Sequence, residues 1–413
     1  MKKSVILYLF FLNFTAYAQL SGFYVKPSLT DPKIITFDNQ KHYVAVNTSV
    51  PQKNKLLIIL GGSYSKPSSY NYFSDFAANE GFHVVNLYYP NDVGINPTCG
   101  PDPDLTCTDL LREEVIFGTP VSANVNVDSV ECLYNRLVKL LEYLVINNPT
   151  QGWSQYLSAG IPVWNKILTS GHSQGSGHAA YLAKLYPVDR CLMFSGLNDF
   201  STYYSPTQAS NWVSNMSSVS PVSCFFGLLH LQDEVGFADQ FIAYQALGMF
   251  ANDDTTLVDG FVSPYNNSHC LYTNLIPHPF INITPHHNST LVDSYVPFDT
   301  ITNTNLLAPV WKYMLETPLI TAISKNNMTY GNETKIYPNP CVNFLNIDNL
   351  SVQSQQRSIK IYDVLGKEIV FESTFFENGS LQINTSGWND GVYFLCVLND
   401  NSMSHTVIIK FSH

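Results

Sequence analysis

Through roughly the first three quarters of the chain, short apolar runs alternate with longer stretches of helical spacing. That rhythm predicts a mostly parallel sheet flanked by helices. "KLLIIL" (55–60) reads as a buried strand ending in Gly61-Gly62, "SYNYFSDFAANEG" (69–81) as a helix stopped by Gly81, and "FHVVNLYY" (82–89) as the next strand. "DSVECLYNRLVKLLEYLVINNP" (128–149) carries apolar residues at helical spacing and closes at Pro149, which predicts a long crossover helix. "KILTS" (166–170), "RCLMFSG" (190–196) and "CFFGLLH" (224–230) read as further strands, and "NLLAPVWKYMLET" (305–317) as the last helix. After about residue 335 the spacing changes to strict alternation, in "FLNI", "IKIYDVLGKEIVF", "GVYFLCVLND" and "HTVIIKF". Period two predicts a small all-β domain.

The polar, Asn-rich stretch 319–334 between these regions reads as a linker. At the other end, Lys2 and Lys3, a short apolar run and Ala16-Tyr17-Ala18 before Gln19 predict a secretory signal peptide over 1–18. The expected organisation is therefore signal peptide 1–18, a larger domain of sheet and helices over 19–318, linker 319–334 and β-domain 335–413. No other stretch approaches the twenty apolar residues of a membrane span, so none is expected.

The 413 residues are 45% hydrophobic and 13% charged, with a formal net charge of -11. An acidic chain without a basic run argues against nucleic-acid or anionic-membrane partners. Eight cysteines in an exported chain make disulfides possible. Cys99 and Cys107 bracket a Pro/Gly/Asp loop that a bond could staple, and Cys341 is a candidate partner for Cys396. Cys191 and Cys224, inside apolar runs, are expected as buried free thiols.

The chemistry concentrates in "GHSQGSGHAA" (171–180), a Gly-x-Ser-x-Gly after a strand and before a helix. A sharp turn there lifts Ser173 to the top of the sheet as a nucleophile, and the Gln174 amide opens the helix as an oxyanion donor. Serine needs a base and an orienting acid, expected downstream in that order of acid then histidine. Asp233 on the loop after "CFFGLLH" is the favoured acid, with adjacent Glu234 as its rival. His287 is the favoured base over its neighbour His286, both placed just before a helix expected to start at Asn288 or Ser289. His269 and His278 read as structural or rim residues. No spaced set of ligands predicts a metal, and no cofactor is expected. The loop Gly61-Gly62-Ser63 is expected to supply the second oxyanion donor from the Ser63 amide.

On "LGG", the long "DSVECLYNRLVKLLEYL" helix and "SGHSQGSGHAAYLAK" followed by "CLMFSGLNDF", residues 55–317 resemble the α/β-hydrolase superfamily. The resemblance implies an eight-stranded, mostly parallel sheet and a serine hydrolase, with Ser173, Asp233 and His287 as triad and Ser63 and Gln174 as oxyanion donors. The expected substrate is a small-molecule or polymer-linked carboxylic ester. A hydrolase-fold binding protein without catalysis, and a serine peptidase, are the alternative readings. On "IYPNP", "IKIYDVLGKEI", "GVYFLCV" and "VIIKF", residues 335–413 resemble the C-terminal sorting domain of the type IX secretion system, which implies the secretion machinery as a partner. Insertions at about 94–127 and 199–222 are expected to roof the site. Tyr203, Tyr204 and Trp212 in the second, with Tyr64 beside the oxyanion loop, are either substrate contacts or ordinary packing residues.

Overall fold

In the computed structural model, the described residues are 20–249, 255–278, 283–302, 304–319, 335–339, 341–348, 358–363, 367–376, 380–399 and 402–410. The expected signal peptide and nearly all of the expected linker lie outside them.

The larger sheet has nine strands: β1 (Ser21–Val25), β2 (His42–Val46), β3 (Leu56–Leu60), β4 (His83–Leu87), β5 (Ile167–His172), β6 (Arg190–Phe194), β7 (Phe225–His230), β8 (Thr255–Leu257) and β9 (Cys270–Thr273). Their spatial order is β1-β2-β4-β3-β5-β6-β7-β9-β8. Only β2 runs against its neighbours on both sides; every pairing from β4 to β8 is parallel. Nine strands correct the expected eight. The extra strand, β8, is three residues long and adds an edge beyond β9.

Parallel strands covered on both faces are apolar throughout. In β3, Leu56, Ile58 and Leu60 enter the core of one face while Leu57 and Ile59 enter that of the other. The helices that matter below are α1 (Asn71–Asn79), α2 (Cys107–Phe117), α3 (Leu133–Asn147), α4 (Gln174–Leu185), α5 (Phe237–Leu247), α6 (Pro285–Asn288) and α7 (Ala308–Glu316). Leu137, Leu140, Leu141 and Leu144 of α3 pack with the first face, and Phe73 of α1 and Trp311 of α7 with the second.

The crossover helix begins at Leu133, later than its apolar spacing predicts. Asp128 bends the chain first by accepting the amides of Val130 and Glu131, and the Cys132 sulfur then caps α3 by accepting from Asn135 N. The two insertions are ordered against each other. Thr202 N donates to Gly100 O at 2.8 Å and Asn211 N to Leu105 O at 3.0 Å.

Cys99 and Cys107 form the expected disulfide. Cys191, Cys224 and Cys341 are buried free thiols. The side chain of Cys396, the candidate partner of Cys341, lies outside the described residues.

The C-terminal strands, β10 (Lys335–Tyr337), β11 (Phe344–Asp348), β12 (Ser358–Asp363), β13 (Ser373–Phe375), β14 (Leu381–Asn384), β15 (Gly391–Asn399) and β16 (Ser402–Lys410), form two antiparallel sheets, β10-β11-β14-β13 and β12-β15-β16. Leu345, Ile347, Ile361, Ile383, Leu395 and Ile408 make their core.

Candidate active site

Ser173 sits between the last residue of β5 and the first of α4, at φ 54 and ψ -121. For a residue with a Cβ that region of backbone space is strained by about 1–3 kcal/mol. Its neighbours in the motif allow the turn. A Cβ on Gly171 would lie 2.1 Å from the Gly175 carbonyl, and one on Gly175 would lie 2.1 Å from Leu60 O. Only glycine lets β3, β5 and α4 approach this closely. Ser173 itself remains partly exposed.

Asp233 follows β7 and is buried, and His287 lies in α6. The His287 Nδ1–H donates to both carboxylate oxygens, at 2.8 and 2.9 Å. Val235 N and Gln240 Nε2 also donate to this carboxylate, at 2.9 and 3.2 Å. Burial works to raise the Asp233 pKa, but the His287 charge and these hydrogen bonds outweigh it and hold the carboxyl below its ordinary range. The acid is therefore ionised, and it orients the imidazole with Nδ1 on the carboxylate and Nε2 turned away from it.

The rival residues form a second pair directly outside the first. His286 Nδ1 meets Glu234 Oε1 at 2.8 Å, and the same carboxylate accepts His286 N at 3.1 Å and His287 N at 2.8 Å. Side-chain exposure separates the pairs: 7% and 0% for His287 and Asp233, against 16% and 24% for His286 and Glu234. Glu234 thus holds the first turn of α6, and the expected helix start at Asn288 or Ser289 is corrected to Pro285.

His172, within the motif but not singled out by sequence reasoning, ties the site together. Its buried Nε2–H donates to the backbone carbonyl of His287 at 3.0 Å. Burial, reinforced by the His287 charge, pushes its pKa down to about 3, so the ring is neutral and Nδ1 is an acceptor. The Tyr70 hydroxyl stands 3.4 Å from Nδ1 and accepts the Gly62 amide at 3.0 Å. A Cβ on Gly62 would lie 3.0 Å from the Ser173 Cβ and 3.1 Å from His172 Nδ1. One buried chain of contacts therefore joins the glycine loop, the serine turn and the histidine helix.

With the Gly62 amide committed to Tyr70, Ser63 and Gln174 supply the remaining amides at the turn. Neither N–H is engaged by a protein acceptor among the described residues. The side chains of the same two residues meet, Ser63 Oγ donating to Gln174 Oε1 at 2.7 Å, and Ile95 N donates to that oxygen at 3.2 Å. Behind them Arg112 Nη1 donates to the Gln174 carbonyl at 3.0 Å and pairs with Asp199, with Nε to Oδ1 at 2.6 Å and Nη2 to Oδ2 at 2.5 Å. This pair is fully buried.

Trp212 donates its Nε1–H to Asp199 at 2.9 Å and is buried against Tyr181 of α4, so it is a packing residue behind the motif helix and no open substrate contact. Tyr204 ties the two insertions by donating to Pro103 O, while Tyr203 and Tyr64 are 62% and 73% exposed. His269 stacks on Phe226 with ring centres 3.9 Å apart, and His278 lies exposed. Among the described residues, no group of three or more His, Cys, Asp or Glu side chains is placed to hold a metal. None of the described helices is long and apolar enough to cross a membrane.

Sequence reasoning missed Tyr70, His172, Arg112, Asp199 and Gln240. Only His172 had a local signal, as the residue before the motif serine.

A family model described as the secretion system C-terminal sorting domain matches residues 335–410. This domain directs the protein through the type IX secretion system to the cell surface or the extracellular space. Among curated proteins, no match to the chain is found.

Proposed function

We propose that residues 19–318 are a secreted serine hydrolase of the α/β-hydrolase superfamily that cleaves a carboxylic ester through Ser173, His287 and Asp233. The observation that carries this reading is the buried Asp233 carboxylate, ionised and held at 2.8 and 2.9 Å from His287 Nδ1, on the histidine helix tied through His172 to the strained serine turn. The single reversed strand and the serine turn between β5 and α4 support the same fold assignment.

In this mechanism the Ser173 oxygen bonds to the acyl carbon while His287 Nε2 takes the hydroxyl proton. Asp233 stabilises the imidazolium that results. Negative charge moves onto the former carbonyl oxygen, where the amides of Ser63 and Gln174 receive it. Collapse breaks the carbon–oxygen bond to the alcohol, which leaves with the proton from His287. Water, deprotonated by the same nitrogen, then attacks the acyl-serine, and the acid is released with Ser173 restored.

The test is hydrolysis of short and medium p-nitrophenyl esters by the protein and by Ser173→Ala, with circular dichroism to verify folding. Loss of about three or more orders of magnitude in kcat for the variant is the expected result. A folded wild-type protein inert across the series, or activity indifferent to Ser173, would overturn the reading.

A further inference from the structure

Two grooves adjoin the Ser63 and Gln174 side of the candidate site. The larger, about 730 Å³, is lined by Phe37, Asp38, Tyr64, Tyr88, Asn91 and Asp92 among others. The smaller, about 410 Å³, is walled by Val93, Val115 and Val125 and reaches Gln174, the residue after the serine. Phe37 and Asp92 line both, so the two lie side by side. Together they form a trough that reaches Gln174, the residue after the serine, at one end and Tyr64, the residue after Ser63, at the other, and so flanks the candidate oxyanion amides.

We propose that this trough is the subsite for the non-reacting part of the substrate, and that it takes a neutral sugar carrying the ester, with the acyl group at Ser173. The proposal rests on the hydrolase reading above for the position of the reacting bond.

Three observations select the ligand class. First, the larger groove interleaves the rings of Phe37, Tyr64 and Tyr88 with carboxylate and amide side chains of Asp38, Asn39, Gln40 and Asp92. Aromatic faces receive the apolar faces of a pyranose, while amides and carboxylates pair with its hydroxyls, each of which both donates and accepts. An alkyl chain in the same place would strip water from these polar groups and return no hydrogen bond.

Second, the floor is built before any ligand arrives. Asn91 Nδ2 donates to Gly62 O at 2.8 Å and to Ser65 O at 3.0 Å, and its carbonyl accepts Tyr64 N at 2.8 Å. The Tyr88 hydroxyl donates to Asn39 Oδ1 at 2.8 Å. Asn91 therefore locks the groove wall to the same glycine loop that presents the Ser63 amide.

Third, Phe37 and Tyr64 both adopt left-handed backbone, at φ 45 and φ 60. A bulky residue seldom accepts that conformation. Tyr64 recovers none of the strain by packing, because its side chain is 73% exposed. What the conformation achieves is to stand an aromatic ring at the groove edge, one residue beyond the candidate oxyanion donor. Charge narrows the class further. Asp38 is already paired with Lys26 at 2.6 Å, and Asp92 and Lys66 add one charge of each sign, so nothing in the groove calls for an acidic sugar.

The test has a binding arm that is independent of hydrolysis. Xylobiose, cellobiose and maltose are titrated calorimetrically into the full-length Ser173→Ala protein and into the same protein carrying Tyr64→Ala or Asp92→Ala. At least one sugar should bind with a millimolar or tighter Kd (about 1 mM), and each added substitution should weaken it about tenfold. The kinetic arm compares kcat/KM for an O-acetylated form of the bound disaccharide with that for p-nitrophenyl acetate. In the Tyr64→Ala and Asp92→Ala enzymes that ratio should fall about tenfold, while Tyr203→Ala, on the other insertion, leaves it unchanged.

Sugar binding without any ester hydrolysis would uphold the groove and overturn the hydrolase reading instead. No binding of any of the three sugars, a ratio unmoved by both groove substitutions, or a preference for an acylated peptide over the acetylated disaccharide would overturn the proposal.

Discussion

Replacing Tyr70 by Phe isolates the hydroxyl that links the glycine loop to the serine turn. The ring is fully buried and Phe fills the same space, so the change removes one oxygen. That oxygen accepts the Gly62 amide at 3.0 Å and faces His172 Nδ1 at 3.4 Å. At 3.4 Å the second contact is long for a hydrogen bond and contributes little. The first matters more, because a buried amide left unpaired costs about 1–3 kcal/mol.

The loop can respond in two ways. It can stay in place and carry the bare amide, which lowers stability by about 2 kcal/mol and leaves catalysis alone. Alternatively it can turn the Gly62 peptide toward another acceptor, which displaces the adjacent Ser63 amide from the oxyanion position. Full loss of one such donor lowers kcat about 10²–10³-fold, so partial displacement should lower it about ten- to hundredfold. The second response takes the form of a small tilt, since Tyr89 still holds the Gly61 carbonyl and Asn91 the Gly62 carbonyl, and such a tilt is enough to shift the Ser63 amide.

Tyr70→Phe should therefore reduce kcat on a p-nitrophenyl ester by that factor with KM nearly constant, alongside a modest fall in the urea midpoint. In a His172→Gln background the same substitution should have less than its full effect, because both changes cut one chain of contacts. A kcat within about twofold of wild type, or a loss expressed wholly in KM, would show that the hydroxyl does no more than fill the core.

Three further outcomes follow from the same geometry. Glu234→Ala frees two amides of α6 and should lower kcat about tenfold while Glu234→Gln retains most of it; equal activity of all three proteins would leave Asp233 as the whole support of His287. Arg112→Met strands the Asp199 carboxylate in a fully buried site and should destabilise by about 3–5 kcal/mol in urea titration, with Arg112→Met/Asp199→Leu recovering much of the loss; a single variant within about 1 kcal/mol of wild type refutes this. Acid should weaken the fold between pH 6.5 and 4.5. Burial depresses His42 and His172 to about 3 and His230 and His269 to about 4, so the stability they contribute is complete above their unfolded value and is lost as pH falls toward the folded ones. Asp109 and Asp293, raised by burial to about 6, act in the opposite sense and stabilise more as pH falls. Burial lowers His83 and His178 as well, and of the aspartates that it raises only Asp109 and Asp293 shift far, so the histidines prevail, Tm should fall over this range, and a flat profile would contradict the assignment of neutral rings.

The serine turn was legible because its constraints are local. Gly171 and Gly175 are needed by contacts within the motif and with β3, and the flanking apolar runs identify strand and helix. The one-residue ambiguity was not resolvable locally, since Asp233-Glu234 and His286-His287 offer two pairings of the same chemistry. Burial separates them in the fold, and burial depends on how α6 settles against the end of β7. Arg112 and Asp199 carried no signal at all, being 87 positions apart in the chain and joined only when the two insertions pack. The same distant pair explains why Trp212, a candidate ligand contact by composition, is a packing residue. The edge strand β8 escaped notice because three residues are too few to show a period.

The bond between Cys99 and Cys107 spans only 8 positions, so its closure needs nothing from the rest of the molecule. It can form as soon as this stretch reaches an oxidising compartment, long before the sorting domain at the other end has emerged. Protein prepared in a reducing cytosol would consequently differ from the exported form in the insertion that supplies Val115 and Val125 to the groove wall, and not in the sheet beneath. A recombinant batch that folds yet hydrolyses poorly should first be checked for free thiols at these two positions. Refolding under a glutathione couple is then the remedy to try before the active-site serine is doubted.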